Sequence, residues 1–410
     1  MAITISALKE APGENRVALS PDVVRKLVKS EYQVLIEKDA GQHAFYQDSA
    51  YTDAGAQVVD RNTAIEKASI IATIDQPGAD VVDHLQAGQT LLGLLAPLTD
   101  LEFVKKLAAK KVNAMAFELL PRTVSRAQTM DVLSSQASVA GYKAALLAAD
   151  KFTRYFPMMI TAAGTAKPTK VLVLGTGVAG LQAIGTTKRL GAMVSGYDIR
   201  PASRGEVESL GATFLTTSVS ATGEGGYARA LTPEETAQQQ KELAGFIAEN
   251  DVIITTAQVP GRRPPLLVTQ DSVDQAKPGT VFIDLAASDL GGNVAGSKAD
   301  DTVVTPNGAQ IIAAGDMASQ LPASASDMFA KNVQAVINDV TKDGELVFDV
   351  DDEVVGELLA TYQGEIISSR VRSAMKLPDR HPEKAEDAAD EAKPAATDDS
   401  SEESKTKGAD

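Results

Sequence analysis

The chain has 410 residues, 44% of them apolar, with no cysteine, three histidines and a net charge of −16. That length accommodates two domains and a tail. The composition excludes disulfides and thiolate metal sites, leaves little for zinc, and disfavours nucleic acid as a partner. No stretch approaches the eighteen or more apolar residues of a membrane span, and the first residues lack the basic and apolar regions of a secretory signal.

From the N-terminus, Ala2 to Leu8 alternates like a short strand, and Ser20-Pro21 reads as a helix start. Val34 to Ile36, Ser69 to Ile74, Leu91 to Ala96 and Val112 to Phe117 follow as strands, mostly with helical segments between them. This alternation predicts a doubly wound parallel sheet of about 120 residues without a phosphate loop. Arg16, in the turn after the first strand, either binds a carboxylate or is solvated or in a surface pair.

Residues 121–150 end in a long helix. At helical spacing, Gln128, Asp131, Ser134, Ser135 and Ser138 share one face, behind Arg122 and Arg126. Such a stripe can bind a carboxamide and a ribose, or it can be a solvated face. Phe156 to Lys167 is apolar around a glycine turn and reads as a hairpin or arm that needs a partner surface.

Val171 to Leu174 reads as a buried strand, followed by Gly175, Gly177 and Gly180 in G-x-G-x-x-G spacing, a helical run, and a second strand ending at Asp198. The first glycine permits the turn, the second lets backbone approach a pyrophosphate, and the third lets helix pack on strand. The helix N-terminus offers N–H groups and positive dipole to phosphate. A carboxylate at Asp198 is placed to meet an adenosine ribose. Beyond it, Thr217 to Leu231 has no periodicity and three glycines around Tyr227, the pattern of a lid. Asp251 to Thr256, Val281 to Leu285 and Gln310 to Ala313 are further strands, and the Thr256-Ala257-Gln258 end faces the ligand crevice of a parallel sheet. Ser326 to Val340 is helical and returns to the first domain. From Pro382 onward no apolar side chain exceeds alanine except proline, so this acidic segment is expected to be disordered. The whole reads as an α/β protein. Its two doubly wound, Rossmann-like parallel-sheet domains flank a cleft: 1–135 with 320–378, and 136–319, with the tail at 379–410.

The segments PRTVSRAQTMDVLSSQASVAGYKA, MMITAAGTAKP, VLGTGVAGLQAI, GGYA, IITTAQVPGRRPP and VFIDLAASDLGGN resemble the soluble NAD(H)-binding domain of the proton-translocating NAD(P) transhydrogenase alpha subunit. The resemblance implies a split-subunit form without membrane spans. It implies direct hydride transfer between NADH on this chain and NADP(H) on a beta subunit. It also implies a small membrane-spanning alpha-2 partner, a homodimer, and a cytoplasmic chain held at the inner membrane by its partners. Carried over by motif, Gln128, Asp131, Ser134, Arg122 and Tyr227 are the catalytic group. Gly175, Gly177, Val178, Ala179, Gly180, Asp198, Ile199, Arg126, Thr256 and Ala257 bind the cofactor, and no metal is implied. One residue more than usual separates Arg122 from Arg126, and Ala318-Ser319-Gln320 replaces a usual Pro-Ser-Arg. Alanine dehydrogenase is a relative of the same shape, but its lysine and histidine positions correspond here to the Thr73–Asp75 stretch and Ala96. A non-enzymatic NAD(H) sensor would carry the same stripe and lid.

Overall fold

A computed structural model describes residues 3–221, 229–258 and 263–380. The first sheet is built from β1 (Thr4–Ala7), β2 (Gln33–Glu37), β3 (Gln57–Val59), β4 (Ile70–Ala72), β5 (Thr90–Gly93) and β6 (Asn113–Ala116), all parallel where they pair. β7 (Met159–Thr161) and β8 (Gly164–Ala166) form an exposed hairpin. The second sheet holds β9 (Lys170–Leu174), β10 (Met193–Tyr197), β11 (Thr213–Leu215), β12 (Val252–Thr255), β13 (Val281–Asp284), β14 (Thr302–Val304) and β15 (Gln310–Ala313). Their order is β11-β10-β9-β12-β13-β15-β14. The strand order reverses beside β9, the place where an open parallel sheet leaves a ligand crevice. The chain then returns through β16 (Thr341–Lys342), β17 (Glu345–Leu346), β18 (Leu359–Tyr362) and β19 (Glu365–Ile366). The last two extend the first sheet to eight strands, ordered β19-β18-β6-β5-β4-β1-β2-β3.

Both sheets differ from the all-parallel expectation at one edge. β18 runs antiparallel to β6, and β14 antiparallel to β15. Both strands are short: β14 is a mostly exposed edge strand, and β18 is a buried strand between β6 and the edge strand β19.

Two long helices connect the halves. The bridging helix, Val132–Lys151, starts beside the first sheet and packs Ala144 and Ala148 into the core of the second. The return helix, Pro322–Asp339, buries Phe329, Val333, Val336 and Ile337 in the core of the first. Both continuous valine- and isoleucine-rich sheets are covered on two faces, which is why their strands read as apolar runs. Among the described residues no helix is long and apolar enough to cross a membrane.

Candidate functional site

The glycine loop follows β9. Gly175 has φ +93°, a conformation that favours glycine, and an added Cβ would lie 2.7 Å from Thr256 Oγ1. A Cβ on Gly180 would lie 1.9 Å from the Gly175 carbonyl oxygen, whereas one on Gly177 would meet nothing within 4 Å. Gly177 therefore borders open space, and its neighbours are fixed by packing. It caps the helix Val178–Arg189, whose first internal bond runs from the Leu181 N–H to the Gly177 carbonyl. The amides of Val178, Ala179 and Gly180 precede that bond, so a phosphate at this end meets unpaired donors and the positive end of the helix. These residues fit a dinucleotide pyrophosphate.

Asp198 stands just past β10 and is buried. Its Oδ2 accepts from Thr176 N–H (2.9 Å) and Oγ1 (3.2 Å); its Oδ1 accepts from the Arg200 N–H (2.9 Å) and Nε (2.8 Å). Arg200 Nη2 donates to Oδ2 at 2.8 Å. Burial works against the charged form, but the Arg200 guanidinium and the two backbone N–H groups outweigh it and hold the carboxyl below the usual range. Asp198 is thus anionic at neutral pH. The Ile199 carbonyl accepts from the Ala221 N–H at 3.0 Å, which ties Ala221 to the end of β10. Tyr227 itself lies outside the described residues.

Across the crevice, Thr256 Oγ1 donates to the Gly175 carbonyl at 2.9 Å. Ala257 donates its N–H to Asn293 Oδ1 (3.0 Å), and Asn293 Nδ2 donates to the carbonyls of Ala257 (2.8 Å) and Pro265 (2.7 Å). Asn293 fixes the end of β12, a role with no signal in the sequence beyond its Gly-Gly-Asn setting. Asp284 serves the neighbouring turn in the same way, accepting from Thr255 Oγ1 and the N–H groups of Ala286 and Val294.

The polar stripe does not lie on one helix. Gln128 belongs to a 3-10 segment, Ser125–Met130, and is exposed. Asp131 is the N-cap, with φ −74° and ψ 87°, and its Oδ1 accepts from the Ser134 N–H at 2.8 Å. That cap starts the α-helix at Val132, so helical spacing does not extend back to Gln128. Asp131 Oδ2 also accepts from Ser134 Oγ (2.6 Å) and Arg122 Nε (2.9 Å), and Arg122 Nη2 donates to Ser134 Oγ (2.7 Å). The inserted residue thus leaves Arg122 joined to Asp131 and Ser134. Arg126 goes elsewhere: it pairs with Asp339 (3.4 Å) and Asp352 (2.5 Å). Ser135 turns to Asn332, and Ser138 to Gln182.

The bridging helix brings the two groups of residues into one molecule-wide frame. At Gly141 it crosses the glycine-loop helix so closely that a Cβ would lie 2.1 Å from the Ala179 carbonyl oxygen. Ser134 stands two turns before that crossing. At the opposite wall, Arg16 is neither solvated nor open to a ligand. It is buried, with Nε and Nη2 on Glu14 (2.8 and 2.6 Å) and Nη1 on Gln136 Oε1 (2.9 Å). Ser319, in the altered Ala-Ser-Gln segment, receives the Asn15 N–H on its Oγ at 2.9 Å. Among the described residues no histidine and carboxylate cluster could hold a metal.

A glycine cradle at a helix N-terminus, a buried carboxylate after the second strand and a reversal of strand order define a dinucleotide-binding α/β protein of two sheets. The chain belongs to the alanine dehydrogenase/PNT family: the N-terminal domain of that family matches residues 7–140 and the C-terminal domain residues 144–369. It is 42% identical over 368 residues to an NAD(P) transhydrogenase subunit alpha chain of Rhodospirillum rubrum, covering 87% of this chain and 95% of that one. It is 39% identical over 376 residues to the protein of the same name from Rickettsia prowazekii, covering 90% and 97%. The crystal structure of transhydrogenase from Sinorhizobium meliloti superposes with a TM-score of 0.80 at 37% identity, covering 89% of this chain and all of that one.

Proposed function

We propose that this chain is the NAD(H)-binding subunit of a proton-translocating transhydrogenase and transfers hydride directly between its own NADH and NADP+ on a partner beta subunit. The observation that carries this reading is the Arg122–Asp131–Ser134 cluster. It is tied together by side-chain hydrogen bonds and sits beside Gln128 at the start of the helix that crosses the glycine loop. The similarity to two proteins named as transhydrogenase alpha subunits supports it.

In this reading Gly175, Gly177, Val178, Ala179 and Gly180 hold the pyrophosphate, Asp198 and Ile199 the adenosine, and Thr256 and Ala257 line the crevice. Asp198 selects NAD(H), since a 2′-phosphate would meet its charge. Arg122, Asp131 and Ser134 offer a fixed set of donors and acceptors to a carboxamide, and Gln128 reaches the nicotinamide ribose at the side open to the partner. Hydride leaves one nicotinamide carbon and arrives on the other, so atoms and charge balance without a protein base. The work of the chain is orientation and exclusion of water. Tyr227 closes the site in this reading, while Arg126 serves the first domain's surface and not the nucleotide. The division into 1–135 with 320–378 and 136–319 puts the cleft between the sheets. The exposed hairpin is the homodimer contact, and an alpha-2 subunit and the beta subunit hold the chain at the membrane.

A keto-acid reading has less support, because Asp75 and Ala96 stand where the dehydrogenases of this family are expected to carry a lysine and a histidine. The test is a stopped-flow single turnover with NADH, a beta subunit and an NADP analogue. Transfer is expected with the wild-type chain. Gln128→Asn should slow it at least about tenfold while NADH affinity changes little. Robust turnover of pyruvate and ammonia by the isolated chain, or unimpaired transfer by the variant, would overturn the assignment.

A further inference from the structure

In the 3-10 segment that carries Gln128, Ala127 and Met130 are buried in the first core and Arg126 is ion-paired, but Gln128 and Thr129, between the two buried residues, are exposed. Such a turn has poorer hydrogen-bond geometry than an α-helix, and Gln128 lies inside it with its side chain exposed. Yet a site that orients two rings requires its groups to stay within a fraction of an ångström. Something outside the segment has to hold it.

The structure supplies that restraint as a line of hydrogen bonds running in one direction. Arg16 Nη1 donates to Gln136 Oε1 at 2.9 Å. Gln136 Nε2 donates to Ser135 Oγ at 3.2 Å and to the Ala325 carbonyl at 3.1 Å. Ser135 Oγ donates to Asn332 Oδ1 at 2.7 Å, and Asn332 Nδ2 donates to the Thr129 carbonyl at 2.8 Å. The orientation of each amide follows from its partners. A backbone carbonyl can only accept, so Asn332 must turn its NH2 to Thr129 and Gln136 its NH2 to Ala325. Ser135 has one proton and two acceptors in reach, Asn332 Oδ1 at 2.7 Å and the Val132 carbonyl at 3.1 Å, and the shorter contact takes it to Asn332. Asn332 and Gln136 are both 7% exposed, so their amides are largely shielded from water, although Ser135 is half-buried and Thr129 exposed, and an amide left without a partner is costly.

We infer that Asn332 is a positioning residue for the hydride-transfer site: it holds the peptide of Thr129, next to Gln128, against the bridging helix that carries Asp131 and Ser134. This rests on the reading of that cluster proposed above. Asn332 comes from the return helix, 203 residues beyond Thr129 in sequence, and it reaches both elements at once. It touches no nucleotide-facing group. It acts through backbone position, and its loss should impair transfer without impairing the glycine cradle and Asp198, which bind the dinucleotide elsewhere.

Asn332→Asp gives a sharp test. A carboxylate cannot donate to Thr129, but a neutral carboxylic acid can, while its carbonyl still accepts from Ser135. The protonated variant therefore restores the native pattern in the same volume. Burial raises the pKa of such a carboxyl, so the restoration falls in an accessible range. Among the described residues, Asn332 hydrogen-bonds no ionisable side chain; its line of bonds reaches Arg16, paired with Glu14 at 2.6 Å, and on the Thr129 side the charged neighbours are Lys331 and Arg126, the latter paired with Asp339 and Asp352.

In single turnovers with NADH, a beta subunit and an NADP analogue, transfer by Asn332→Asp relative to wild type should be about tenfold down at pH 8 and within about threefold at pH 6. Asn332→Ala should be slow at both pH values, and Ser135→Ala less so, with NADH affinity of all three within about twofold of wild type. Amide hydrogen exchange on the full chain adds a readout that needs no turnover. Residues 128–131 should exchange faster in Asn332→Ala, while residues 170–198 stay unchanged. A normal rate for Asn332→Asp at pH 8, a pH-independent loss matched by weaker NADH binding, or unchanged exchange at 128–131 would each overturn the inference. If the wild-type chain transfers no hydride, the proposed function fails, and the exchange comparison still decides the role of Asn332.

Discussion

Gly141→Ala sets two opposed effects against each other at the helix crossing. In an exposed helix interior the change would stabilise by about 1 kcal/mol through helix propensity. Here the new Cβ would lie 2.1 Å from the Ala179 carbonyl oxygen, 2.8 Å from its carbon and 2.9 Å from its Cα. A relaxed carbon–oxygen contact is about 3.3 Å, so the shortfall is roughly 1.2 Å. The atoms it meets are backbone inside a helix and cannot rotate aside. The helices must separate, and buried Ala144, Ala148 and Ala183 lose contact as they do. Overpacking of this kind costs about 1–3 kcal/mol, or more where backbone must move. The cost exceeds the propensity gain, and a net loss of about 1–2 kcal/mol corresponds to roughly 2–8 °C in a domain of this size. Gly245→Ala is the control. Its Cβ would meet nothing within 4 Å in the exposed part of the helix Pro233–Glu249, so it should stabilise by about 0.5–1 kcal/mol. Urea denaturation and calorimetry of both variants measure the two effects. A shift of about 1 Å at the crossing also moves Asp131 and Ser134, so the proposed hydride transfer should fall by more than the stability change implies. Gly141→Ala as stable as Gly245→Ala would refute the close-crossing argument.

Glu10 gives a pH-dependent prediction. Burial pushes its carboxyl up to about 8, despite the Ile74 N–H donating to it at 2.7 Å. Below pH about 4.5 it is protonated folded and unfolded alike; from there to about 8 the folded chain keeps a proton that the unfolded chain releases, so stability falls as pH rises. Glu10→Gln keeps the acceptor for Ile74 and should match wild type near pH 4.5 but exceed it by at least about 1 kcal/mol at pH 8; superimposed urea midpoints across that range would count against it. In the hairpin, Met158 and Met159 are 58% and 37% exposed and Ile160 78%. Met158→Asp with Met159→Asp should convert a dimer to monomers by light scattering, and an unchanged mass would remove the hairpin from the interface.

Much of the frame is legible in the sequence because period and punctuation are local. The glycine spacing after Val171–Leu174, the acid at Asp198 and the Ser20-Pro21 helix start are each read within a few residues, and the structure places them on β9, after β10 and at Pro21–Lys29. The antiparallel strands escape because three or four residues are too few to show a pattern: Thr302–Val304 is mostly exposed, and Leu359–Tyr362, though buried, pairs with a strand far back in the sequence. The polar stripe reads wrongly as one helix face for a different reason. The cap at Asp131 changes the backbone geometry, and beyond it residues of one apparent face diverge to Arg122, Asn332 and Gln182. Asn332, Asn293 and Ser319 are not legible at all. Each acts by hydrogen bonds to residues far away in sequence, and a lone amide or hydroxyl has no periodicity to announce it.

Arg16 shows how such distant partners change the meaning of a residue. Alone in a loop, an arginine is a fork waiting for a carboxylate. In the fold the fork is filled from within: Glu14 takes Nε and Nη2, and Gln136 takes Nη1. Asp75 and Asp316 add further negative charge around it, and burial with neighbouring charge raises the pKa of both, Asp316 to about 6. An external carboxylate would have to displace Glu14 and enter among these acids. The arginine therefore works as an anchor for the β1 loop, and the carboxylate it recognises is the chain's own. Through Gln136 and Ser135 the same anchor ends at Asn332 and the peptide beside Gln128. A group that could have held a substrate at the end of the first sheet is instead tied by hydrogen bonds to the turn beside Gln128.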